Sequence, residues 1–335
     1  MKSVLELDML QTAGLGALAL VLGMCLTRRV KWLQRFCIPS PVSGGIVFSV
    51  VSLMLYKLWN VELVFDGTLK DVFMLVFFTS VGFQSNLKVL RRGGSTLLLM
   101  LGVLAFIIVV QNVLPLGIAW IMGVNPLVGM AAGSISMAGG HGTAGGFSAV
   151  LEGMGLSGAG TIAMAAATFG LIMGSVTGGP SAEHLEPKDY EVDPAMAGLE
   201  SDEASPAGRA KHISSNEQEF QQYAKATYAL LIVVAAGSLM SWLLQQTGVT
   251  FPTYFGALIV AAIVRNVAEA CKLTPKMELD KIVSVGNICL SVFLGMAMVS
   301  LKLWELESLA LPLVVMLVAQ VVAMALIAYF VAFNI

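Results

Sequence analysis

The feature that most constrains this chain is a succession of nine long apolar stretches, at residues 8–26, 41–59, 69–87, 95–122, 160–178, 223–245, 252–268, 282–301 and 308–333. A helix needs about 20 mostly apolar residues to cross the hydrocarbon of a bilayer. Backbone groups inside that layer must be bonded internally, which confines spanning segments to helices and closed barrels. Stretches of this length read as helices, so the fold class is an all-α membrane protein, a polytopic helical bundle. The composition agrees, because 57% hydrophobic and 12% charged residues lie outside the range of soluble domains. The first stretch is no secretory signal: it is too long for a signal's core, follows acids, precedes bases and lacks a small-residue cleavage site. The net charge of −2 comes without any basic stripe, which excludes nucleic acid as a partner and leaves membrane lipid as the surroundings. Cys25, Cys37, Cys271 and Cys289 have no metal-ligand spacing and read as reduced core residues.

Basic residues set the orientation. Arg28, Arg29, Lys31 and Arg35 follow the first stretch, Lys88, Arg91 and Arg92 the third, and Arg265, Lys272, Lys276 and Lys281 lie between the seventh and eighth. The other side receives only Lys2, Lys57, Lys70 and Lys302. Positive loops stay in the cytoplasm, so the amino terminus is expected outside.

That parity makes residues 125–155 the most informative segment. The fourth stretch ends outside, the linker at 181–222 has cytoplasmic character, and one crossing already lies between them. Residues 125–155 are therefore expected to enter and leave on the outer side as a re-entrant hairpin. Each arm, about a dozen residues at 1.5 Å each, reaches roughly the midplane. Its sequence holds "SMAGGHGTAGGF", Ser136 to Phe147, where the glycines fall at the expected tip and leave backbone uncovered, a state tolerated only against protein or a watery cavity.

A weak repeat crosses the linker. "PSPVSGGIVF" resembles "VTFPTYFGALIV" when Pro41 is set on Pro252 and Gly45 on Gly256. The following stretch in each half opens on an acid, Asp71 or Asp280, and closes on Leu-Lys, at Lys88 or Lys302. Gln111 and Gln320 then recur in "VVQNV" and "VAQVV". One copy starts outside and the other inside, as in the inverted-topology repeats of secondary transporters. Three parts follow: a first repeat at 1–180 with five spans and the hairpin, a cytoplasmic linker at 181–222, and an inverted repeat of four spans at 223–335. The second repeat lacks a counterpart of the hairpin and last span, so a truncated chain is expected.

Broken helices in transporters offer amide ends to anionic groups and carbonyl ends to cations. The hairpin has material for both: hydroxyls at Ser134, Ser136 and Thr143, close backbone approach at Gly139, Gly140 and Gly142, and a hydrogen-bond donor in His141. Small residues also serve plain helix packing, the reading favoured for Gly129 and Gly133. Thr79, Ser80, Gln84 and Asn86, with Asn287 and Ser291 in the inverted counterpart, are candidates to line a central site, and each alone fits an interhelical hydrogen bond as well. Apart from His141 no acid, lysine or arginine lies mid-span, which disfavours proton coupling and favours sodium, with ligand candidates Ser136, Thr143, Thr79 and Asn287. No other cofactor is implied. An intramembrane hydrolase using Ser136 and His141 lacks its orienting third group, so no enzyme is expected.

The stretches "IPSPVSGG", "LVFFTSVGF", "AGGHGTAGGF", "ATFGLIMG", "GNICLSVFLGMAM" and "LKLWELESLALP" together resemble the bacterial sodium/glutamate symporter family. The resemblance implies a homodimer in the cytoplasmic membrane, paired re-entrant hairpins, and sodium-driven uptake of glutamate. It also implies that Gly139, Gly140, His141, Gly142 and Thr143 form the functional tip of the first hairpin. Family loops commonly read Ser-Gly-Gly-His-Gly-Thr-Gly, and Ala138 and Ala144 depart from that pattern here. The alternatives are another sodium-coupled carboxylate carrier, or a transport-inactive fragment with a structural role.

Overall fold

A computed structural model describes residues 3–36, 38–88, 94–185, 215–248, 251–273 and 277–330. Cys37, Arg91, Arg92, Lys276 and most of the expected linker, 186–214, lie outside the described residues. In chain order the elements are β1 (Ser3–Leu7), α1 (Met9–Arg29), α2 (Lys31–Arg35), α3 (Ser40–Trp59), β2 (Val61–Phe65) and α4 (Thr68–Gln84). Then come α5 (Gly94–Ile121), α6 (Pro126–Ala132), α7 (Ser134–Met137), α8 (Gly140–Gly153) and α9 (Ala159–Leu185). The remainder is α10 (Ser215–Gln245), α11 (Tyr254–Ala270), α12 (Leu279–Val299), a 3₁₀ turn (Leu303–Leu309) and α13 (Ala310–Phe330).

Seven of the nine expected spans are helices of 18 or more residues apolar enough to cross a membrane. The other two, α4 and α11, have 17 residues each, near the short end of the ~17–25 that spanning helices use. Their direct neighbours are polar or carry turn residues: Ser85-Asn86 stops α4, and Pro252-Thr253 precedes α11. Exposure identifies the solvent. On α5 Leu98, Phe106, Val109, Val113, Trp120 and Ile121 all lie on the outer surface, as suits a helix that is apolar all round and faces lipid.

Local sequence explains the ends. Asp8 caps α1, its Oδ1 accepting from the Gln11 N–H at 2.8 Å while Gln11 Oε1 accepts from the Asp8 N–H at 3.1 Å. Arg28 and Arg29 sit in the last turn of the same helix, where cations suit its negative end. Asn125 caps α6 with Pro126 at its start. Pro41 lies in the first turn of α3 and Pro252 just before α11, as expected of helix starters. β1 and β2 pair in parallel, Ser3 with Val61 through Leu7 with Phe65.

The helices pack in two groups. In one, α4 and α12 lie against each other at the centre, with α1, α3, α10 and α11 around them. In the other, α5, α6, α7, α8, α9 and α13 share their contacts. The groups meet chiefly where α8 approaches α12, under one large core cluster that includes Ile162, Met164, Phe293 and Met316. Glycine permits the closest crossings. Gly23 on α1 faces Gly44 on α3, and Gly237 on α10 faces Gly256 and Ala257 on α11. Gly45 turns instead toward Met298 on α12.

The cysteine expectation needs correction. Cys289 is buried, but Cys25 and Cys271 are free and exposed. A thiol is apolar enough to sit on a lipid-facing or boundary surface as well as in a core.

Candidate functional site

The segment read as a hairpin is three helices. α6 runs to Ala132, the chain breaks at Gly133, α7 makes one turn, and α8 starts at Gly140. α6 and α8 contact each other, so the arms fold back together. The uncovered backbone is narrower than the glycine run suggests. Gly140, at φ +70°, supplies the left-handed residue the turn needs, and His141, Gly142 and Thr143 already belong to α8.

Each hydroxyl of the segment has an acceptor within the protein. Thr143 Oγ1 donates to Ile135 O at 2.6 Å and stands near Gly140 O at 3.2 Å, stapling the turn shut. Ser136 Oγ donates to Ala131 O at 2.6 Å, and Ser134 Oγ donates to Asn112 Oδ1 on α5 at 3.0 Å. The buried His141 has its Nε2 3.0 Å from Thr168 Oγ1 on α9. Because the Thr168 hydroxyl donates to Met164 O at 2.9 Å, its oxygen is left to accept from an Nε2–H in that pair. Ser136 and His141 are therefore committed to different partners. Gly139 lies against the Thr143 hydroxyl, and a Cβ at Gly142 would lie 3.4 Å from the Phe77 and Phe78 rings.

Thr79 donates to Leu75 O at 2.7 Å and is fully buried beside the α4–α12 crossing. Asn287 is exposed on α12, and Ser291 Oγ donates to Asn287 O at 3.0 Å. Neither Asn287 nor Ser291 borders the cavity described next.

Among the described residues a cavity of about 1010 Å³ lies between the two helix groups. Its inner wall is α8 one turn beyond the expected tip. Gly145 and Gly146 face it, with Met164 of α9, Met74 of α4 and Phe293 and Met296 of α12. The two glycines exist here for contact reasons: a Cβ on Gly145 would overlap the Phe293 ring, and one on Gly146 the Tyr254 ring. Tyr254 in turn stacks on Phe78 with centroids 3.7 Å apart. Thr12 of α1 also lines the cavity and is 2% exposed, its hydroxyl without a partner among the described residues.

Charges come from element ends around the mouth. Asp66, Asp71, Glu152 and Glu305 stand there with Lys70 and Lys302. Lys302 Nζ pairs with Glu62 Oε1 at 2.7 Å, and its N–H reaches Thr161 Oγ1 at 3.3 Å, tying the end of α12 to β2 and α9. Glu152 Oε1 accepts from the Gly160 N–H at 3.4 Å. None of Gly139, Gly140, His141, Gly142 and Thr143 lines this cavity, and Thr12, Met164 and Phe293, which do, were not among the residues expected from sequence. The pair Gly145-Gly146, in the same quoted stretch, was the available signal.

Lipid-facing helices, a helix broken inside the bundle and a cavity between two helix groups define an integral membrane protein of the transporter kind. The family model "Sodium/glutamate symporter" matches residues 5–335, and the chain belongs to that family. It is 36% identical to the sodium/glutamate symporter of Escherichia coli K12 over 331 residues, 98% of this chain and 81% of that protein. The sodium/glutamate symporter of Haemophilus influenzae is 34% identical over 333 residues, 97% of this chain and 80% of that one. No solved structure matches the chain.

Proposed function

We propose that this protein is a secondary transporter that takes up glutamate across the bacterial cytoplasmic membrane together with sodium. The observation that carries the reading is the cavity between the two helix groups in a chain of this family. Its chemistry suits a cation entering with an anion. Four carboxylates against two ammonium groups give the mouth an excess of two negative charges, which raises the local concentration of sodium. Glutamate carries net negative charge, so it gains from a cation already in place. The deeper wall, with Thr12, Gly145, Gly146 and Phe293, holds no ionised side chain and supplies backbone and hydroxyl groups instead.

Inverted repeats at 1–180 and 223–335 are part of this proposal. Exchanging α1, α3, α4 and α5 for α10, α11, α12 and α13 preserves the contact pattern: α1 on α3 as α10 on α11, and α3 on α12 as α11 on α4. The lysines that end the Leu-Lys pairs support the same exchange. Lys88 pairs with Glu269 at the end of α11 at 3.1 Å, and Lys302 pairs with Glu62 just after α3 at 2.7 Å. Residues 125–155 then form a re-entrant hairpin, the amino terminus and cavity mouth face outward, the linker is cytoplasmic, and the protein works as a homodimer. Sodium meets oxygens rather than a carboxylate cluster, and the tip residues Gly139–Thr143 position the wall that the cavity exposes.

The test is uptake of labelled glutamate into vesicles reconstituted with the protein. Uptake that follows an inward sodium gradient and ignores a potassium gradient is expected. Uptake insensitive to sodium sinks the coupling, and competition by unrelated carboxylates better than by unlabelled glutamate sinks the substrate.

A further inference from the structure

Around Gly133 the chain gathers more oxygen atoms than donors to meet them. Pro115 lies inside α5, four residues after Gln111. It has no N–H, so the Gln111 main-chain carbonyl loses its helical donor. Gly133 breaks the α6–α7 axis directly against this carbonyl. A Cβ at Gly133 would lie 2.8 Å from Gln111 O, 2.8 Å from Asn112 Oδ1 and 3.0 Å from Gly129 O, so one small notch is bordered by three oxygens.

The glutamines that recur in the two halves carry two further oxygens. Gln320 on α13 reaches the same break, its Nε2 donating to Ala132 O at 2.9 Å with Met316 O at 3.3 Å. That anchoring commits the nitrogen and leaves Oε1 free. The Oε1 atoms of Gln111 and Gln320 are both buried without a donor among the described residues, the side chains being 5% and 0% exposed. Buried amide oxygens are seldom left unmet, and two of them, on the residue whose carbonyl borders the break and on the residue that anchors it, point to a missing positive partner. The carbonyl end of α6 adds partial negative charge at the same place. These are hard, uncharged oxygen ligands with no carboxylate among them, a set that suits a monovalent cation better than a divalent one.

We infer that the break at Gly133 is a sodium site, with the side-chain oxygens of Gln111 and Gln320 and the freed Gln111 carbonyl as ligands. The inference rests on the sodium-coupled reading above. It differs from the tip residues in location, and it gives the symmetric glutamines a role beyond packing.

The test is the thermal midpoint of the purified full chain in detergent, without glutamate, titrated with sodium chloride at constant ionic strength against choline chloride. The wild-type midpoint is expected to rise and saturate. Gln111→Leu and Gln320→Leu should each need about tenfold more sodium or lose the rise. Gln111→Glu, which keeps the shape and adds a charge, should need less sodium, and it serves if a leucine variant fails to fold. Variants that titrate like the wild type overturn the site, because the oxygens then hold water instead, while leaving sodium coupling intact. A wild-type protein indifferent to sodium overturns both.

Discussion

Gly146 and Gly145 decide how closely the Tyr254 and Phe293 rings can lie on α8. Adding one methyl at either position forces a packed ring to move, which typically costs about 1–3 kcal/mol. Gly146→Ala should therefore lower the thermal midpoint and slow glutamate uptake. Gly174→Ala on α9, where nothing lies within 4 Å, should leave uptake unchanged and add stability of up to ~1 kcal/mol. A second residue-scale prediction concerns His141. Thr168→Val removes the acceptor of its Nε2–H and should destabilise by about 1–3 kcal/mol, whereas Thr168→Ser should not. Calorimetry or a dye-based melt in detergent reads both. At this scale the sequence was half legible. A histidine and hydroxyls amid glycine mark His141 and Thr143, but Thr168, one helix further on, carries no sign that it faces them. Side-chain pairs between helices leave no periodicity in either strand of sequence.

At the scale of elements, run length and hydropathy were enough to locate all the long helices, whereas the cap pairing Asp8 with Gln11 shows only in the structure. The break at Gly133 was not legible there, because its glycine looks like the packing glycine at Gly129. What holds the break is remote: Asn112 Oδ1 accepts from both the N–H and the hydroxyl of Ser134, at 3.2 and 3.0 Å, doing for α7 what a cap residue does locally. Asn112→Leu should therefore destabilise the fold by about 1–2 kcal/mol, read as a lower melting midpoint. Pro115→Ala runs the other way. It restores a donor to Gln111 O and relieves a helix-interior proline, so the midpoint in choline should rise while the further gain on adding sodium shrinks. A gain from sodium equal to that of the wild type would show that the freed carbonyl has no part in binding.

For the whole molecule, the two-group arrangement predicts motion at its narrow seam. Contacts between the groups run mainly through α8 and α12, and packing this limited permits one group to rock or slide on the other about a site between them. A cysteine placed at Ser157 on the cavity mouth should react with a membrane-impermeant maleimide added outside intact cells, and sodium with glutamate should slow that reaction. Labelling only from the cytoplasmic side would reverse the orientation. None of this seam was readable from the chain, since it brings Gly145 against Phe293 and no local pattern reports such distant neighbours. The small sheet adds a practical consequence. Phe65 both closes the strand pair with Leu7 and borders the cavity, so a bulky reporter fused ahead of Ser3 would hang over the entrance and tug at its rim. Epitope tags meant to leave traffic through the pore undisturbed belong elsewhere in the polypeptide.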